Sequence, residues 1–79
     1  MRFAKGSVIR CKGYHDSARS IKGAQVVAVV VDNVWMQVMW SSHTNEWTIG
    51  QEYSFLKNWD SIEKMKRDEA NLWRLLSSA

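Results

Sequence analysis

The stretch AQVVAVVVDNVWMQVMW, residues 24–40, decides the fold. Residues 24–31 are almost continuously apolar and rich in valine, a composition that fits a pleated, buried surface. Asp32 and Asn33 follow, both tolerant of positive φ, and residues 34–40 resume a strand-like run, so the stretch predicts a β-hairpin with a two-residue type I′ turn. Such a loop dictates a register. Val31 then faces Val34, Val29 faces Met36 and Val27 faces Val38, while Val30, Ala28 and Val26 lie across from Trp35, Gln37 and Met39 on the other side. Both faces are largely apolar: one lines a core, and the other needs a cover from a helix or a partner.

On the N-terminal side, residues 7–12 alternate, with Ile9 and Cys11 directed to the core. Residues 13–23 are bounded by glycines and rich in polar side chains, and read as a long surface loop carrying Tyr14, His15 and Arg19. On the C-terminal side, residues 41–45 have turn composition. Beyond them Trp47, Ile49, Tyr53 and Phe55 share one parity against Thr48, Glu52 and Ser54, the mark of a half-buried strand, with Gly50 allowing a bend. From Asp60 the period changes. Ile62, Met65, Leu72, Trp73 and Leu76 recur at helical spacing, and Asp60 and Glu63 stand three apart like a capping pair, which predicts one helix over residues 60–77. The expected class is mainly β with a C-terminal helix (α+β), a small antiparallel barrel or curled meander of about four to five strands. The expectation is one domain over residues 1–79, with a meander to residue 59 and a helical segment over 60–79.

Seventy-nine residues suit one core, and a hydrophobic content of 46% with five tryptophans makes that core dense without a disulfide. Cys11 is the single cysteine and cannot staple its own chain, which suits a reducing compartment; the first residues lack the apolar run of a signal peptide, and a cytoplasmic location is expected. No stretch approaches the ~20 apolar residues that span a bilayer, so no membrane partner is expected. The net charge is +3 and unevenly distributed. Residues 1–23 carry Arg2, Lys5, Arg10, Lys12, Arg19 and Lys22 against Asp16 alone, while the rest of the chain holds more acids than bases. A local positive field of this kind points to an acidic partner.

Cys11, His15, Asp16 and His43 lack the paired spacing of a metal site or a nucleophile with its base, and the four glycines are scattered, so no phosphate cradle is present. No metal, no cofactor and no catalytic activity are expected. The layout of Lys5-Gly6-Ser7-Val8-Ile9-Arg10, a long first loop, the hairpin and Glu46-Trp47-Thr48-Ile49 resembles an SH3-like small barrel of the Tudor or KOW kind over roughly residues 5–58. The resemblance implies a binding module, since such families bind RNA, DNA, modified peptides or proline-rich segments. A small, tryptophan-rich chain of this length is also similar to bacteriophage accessory proteins. Two functions are expected in order. The first is nucleic-acid association, with Arg10, Lys12, Arg19 and Lys22 meeting phosphates and Tyr14 or Trp35 stacking a base. The second is a protein-interaction module, a regulator or inhibitor of a larger enzyme or a homodimer, using Trp35, Met39 and Trp73.

Overall fold

The computed structural model describes residues 3–78. Five strands, β1 (Val8–His15), β2 (Ser20–Val30), β3 (Trp35–Ser41), β4 (Glu52–Ser54) and β5 (Trp59–Lys64), precede one helix, α1 (Arg67–Ser78). The strands form one antiparallel sheet in the order β4-β3-β2-β1-β5, so the last strand crosses to pair with the first. The sheet curls but does not close into a barrel, and the class is mainly β with a C-terminal helix, compatible with a small barrel-like fold.

The central hairpin forms, but in a different register from the one a two-residue turn requires. Val30 pairs with Met36, Val29 with Gln37 and Ala28 with Val38. Residues 32–34 make a three-residue loop closed by Val31 N–H donating to the Trp35 carbonyl at 2.9 Å. Asp32 starts it by its side chain: Oδ1 accepts from the amides of Val34 and Trp35, both at 2.9 Å. Neither Asp32 nor Asn33 takes the positive φ of a type I′ turn. A slip of one residue turns every side chain of one strand over. Met36 and Val38 therefore share a core with Val26, Ala28 and Val30, together with Ile9 and Cys11, instead of with Val27 and Val29. A second shift follows, with Val27 opposite Trp40 and Val26 opposite Ser41, leaving Met39 as the extra residue of a bulge. The bulge brings Trp40 to the side of Trp35, so the two tryptophans do not stand on opposite faces as strict alternation predicts.

β1 and β2 run well into the segment read as a loop. Gly13 is where the β1–β2 register changes, at φ +68°, and Asp16 closes the short remaining loop by accepting from the Ala18 amide at 2.8 Å and the Arg19 amide at 3.0 Å. The strand expected around Trp47 is reduced to β4. Trp47 and Phe55 are buried, but Ile49 is exposed and residues 42–51 are mostly turns, tied down by Gly50 N–H to Val38 C=O at 2.8 Å. The largest correction concerns residues 60–66, which are not helical. Asn58 turns the chain at φ 78°, and residues 59–64 pair with β1, Cys11 opposite Ile62. Ile62 and Met65, three apart, fit a helical stripe as well as they fit a strand and the residue just after it, and pairing with β1 selects the strand.

α1 covers the second sheet face. Val8, Val27, Met65 and Ala70 are buried there, with Met39 and Trp73 packed against them. Leu72, Leu75 and Leu76, two of which the periodicity assigns to the packed stripe, are 57%, 68% and 60% exposed on the opposite side of the helix.

Candidate functional site

Of the four basic residues expected to meet phosphates, two are held by carboxylates of the chain itself. Arg10 lies between two carboxylates, 3.8 Å from Glu63 and 3.6 Å from Glu69, and joins β1 to β5 and α1. Arg19 forks onto Glu46 with bonds of 2.7 and 2.5 Å, an arrangement that raises the Arg19 pKa and holds the Glu46 carboxyl below its ordinary value. This pair ties the β1–β2 loop to the β3–β4 connection over Trp47. Lys12 and Lys22 are exposed on β1 and β2. Tyr14 is half-buried, its ring edge-on to Trp47 at 5.1 Å and to Trp59 at 5.3 Å, and its hydroxyl donates to Asp16 at 3.0 Å. Burial first, then that bond, raises the Tyr14 pKa. Amide donors, the Ala18 N–H first, hold Asp16 below the usual carboxylate range, and the Val34 and Trp35 amides do the same for Asp32.

The structure gathers a different set of cations. The chain entering β1 forms a turn in which Gly6, at φ +88°, donates to the Val30 carbonyl at 2.8 Å, and Val30 donates back to Ser7 at 2.8 Å. Met65 N–H donates to the Val8 carbonyl at 2.9 Å, bringing the β5–α1 junction alongside. Arg74, from the third turn of α1, completes the frame by donating to the Gly6 carbonyl at 2.6 Å. Between these three segments lies an open groove of about 720 Å³ lined by Lys5, Lys64, Lys66, Arg67 and Arg74 over an apolar floor of Val8, Met65 and Ala70. No carboxylate among the described residues lines it. Among the described residues Lys64, Lys66 and Arg67 make no ion pair, and Lys5 makes no direct one, although its charge helps to depress Asp32. The neighbouring acids Glu63, Asp68 and Glu69 border an adjacent smaller cleft that Lys64 and Lys66 also line, and Arg10 already partners two of these acids.

Four of the five groove cations come from the half of the chain whose charges sum to a net acidic value. The sequence does carry a local signal, Lys64-Met65-Lys66-Arg67, but a count over the whole half dilutes it with acids, three of which flank the signal itself at Glu63, Asp68 and Glu69.

The alternative interaction residues separate too. Met39 and Trp73 are half-buried in the second core, while Trp35 and Trp40 are 44% and 39% exposed, Trp40 lying 6.2 Å from Trp73. Cys11 is buried with its thiol 3.8 Å from the Met36 sulfur, and His15 pairs with Asp60 at 3.0 Å. Among the described residues no three His, Cys, Asp or Glu side chains converge as a metal set, and no helix is long and apolar enough to cross a membrane. In comparisons with known proteins, no family model, no curated protein and no solved structure matches the chain.

Proposed function

We propose that this protein is a non-catalytic binding module that associates with nucleic acid, and that its contact surface is the groove between the β1 entry, the β5–α1 junction and α1. The observation that carries this reading is that, among the described residues, five cationic side chains and no carboxylate line one concavity. Each phosphate neutralised there releases condensed counterions, a source of affinity that needs no particular base. Of the surface first expected, Lys12 and Lys22 remain available as outlying phosphate contacts, whereas Arg10 and Arg19 serve mainly as internal counter-ions. A Tudor-like or KOW-like role fits the same reading, since modules of that shape commonly bind nucleic acid.

The test is charge reversal. Lys64→Glu with Lys66→Glu abolishes binding to mixed nucleic acid at low salt while leaving the melting temperature nearly unchanged, because both side chains are exposed and unpaired. Wild-type protein that binds no nucleic acid at low salt refutes the proposal. A second reading, a homodimer or a contact with a regulated enzyme, draws on the exposure of Leu72, Leu75 and Leu76. It ranks lower because three leucines fall far short of the roughly 20–30 residues a side of a standard interface. A mass that rises with concentration, and falls back on Leu72→Lys, would promote it.

A further inference from the structure

Which nucleic acid the groove accepts follows from what lines it, and the inference rests on the nucleic-acid reading just given. Surfaces that hold single strands combine a positive track with aromatic rings on which successive bases stack. The described lining is Lys5, Gly6, Ser7 and Val8 on one wall, the β5–α1 junction on another and Ala70 and Arg74 on the helix, with no aromatic ring among them. The exposed rings lie elsewhere. Arg67, Ala70 and Arg74 stand at helical spacing on one flank of α1, whereas Trp73 projects about 100° around the helix from Arg74, towards Trp40 on β3. Neither Trp73, half-buried in the second core, nor Trp40 lines the groove. A single strand lying in the groove would keep its bases in water with nothing to stack on.

We infer that the groove binds the phosphate backbone of a duplex, without regard to base sequence, in preference to single strands. Three of its five cations are lysines, flexible point charges without the fixed fork that reads a guanine edge. Of the two arginines, Arg74 is committed to Gly6 and to Asn71, at 2.6 and 3.1 Å. The adjoining cleft mixes Lys64 and Lys66 with Glu63, Asp68 and Glu69, so the stretch of surface with cations and no described acid is the groove itself.

The experiment is an anisotropy titration of the full chain with a mixed-sequence DNA duplex, the matching RNA duplex, each component strand and a sequence-scrambled duplex. The expected result is duplex binding at least about tenfold tighter than either strand and unchanged by scrambling, with the DNA and RNA arms showing which helical form fits. Four unpaired cations predict a slope of log K against log salt of about −3.6 for B-DNA, equivalent to about a 150-fold loss between 50 and 200 mM salt. Lys66→Gln should reduce the magnitude of that slope by about 0.9. Single strands binding as tightly as the duplex, or affinity that changes on scrambling, would overturn this inference while leaving the nucleic-acid reading in place. No binding to any of the probes would overturn both.

Discussion

At Gly13 the chain meets two constraints at once. Its φ of +68° strains any other residue, and an added Cβ would run into the Asp60 side chain. Gly50 also has a positive φ, +92°, but faces open space. Gly13→Ala is therefore expected to destabilise more than Gly50→Ala, with Gly50→Ala costing about 1–2 kcal/mol, as thermal or urea unfolding would show. Equal losses would mean that β5 does not lie against Gly13. Asp32 shows how a residue can be recognised for the right place and the wrong reason. Its turn-forming character is plain in the sequence, but it acts by accepting two amide hydrogens and not by adopting a left-handed backbone. Because those amides lower the Asp32 pKa, and the same holds for Asp16, unfolding releases groups that bind protons more readily. The stability they add is complete above the ordinary carboxylate range near pH 4 and is lost as pH falls through their depressed folded values. Asp32→Asn keeps the acceptor and removes the titration, so its melting temperature should fall less between pH 5 and pH 2.5 than that of the wild type. An identical acid profile would argue against the loop geometry.

Among the elements, the hairpin was legible as a pair of strands and illegible in register, because register depends on one residue of loop length that Asp32-Asn33 leaves open. The error propagates to every side chain it touches. Met36→Ala should cost about 2–5 kcal/mol, since Met36 is fully buried among Val26, Ala28 and Val30. Val29, placed by the type I′ register opposite Met36, is only half-buried across from Val8, so Val29→Ala should cost less than Val30→Ala. The reverse order would restore the two-residue turn. Of the helix expected over residues 60–77, the part from Arg67 on is helical and the part before it is not. Ala70 and Trp73 face the sheet, a phase that Leu72 and Leu76 obscure because their spacing is equally helical on the far side. Substituting Leu72 and Leu76 by Gln should change stability by no more than about 0.5 kcal/mol each, whereas Trp73→Ala should be clearly destabilising in the same denaturant titration. Large losses at the leucines would mean that they are covered.

For the molecule as a whole, fold class and a core containing Ile9 and Cys11 could be read from composition and alternation, but the candidate site could not. Residues far apart in sequence form it: Lys5 enters from the chain before β1, Lys64, Lys66 and Arg67 from the junction after β5, and Arg74 from the helix. Only the return of β5 to pair with β1 brings them together, and that crossover was hidden by a periodicity shared between strand and helix. Of the described basic residues of the N-terminal segment only Lys5, which was not among the residues expected to meet phosphates, lines the groove, while Arg10 and Arg19 neutralise carboxylates of later elements. The most direct measurement is a backbone amide chemical-shift map recorded while a mixed-sequence duplex is titrated into the protein at low salt. The largest shifts are expected at residues 5–8, 64–67 and 74, with little change at Leu72, Leu76 and Trp35. Shifts centred on the leucines and Trp35, or no shifts at all, would contradict the assignment of the groove as the binding surface.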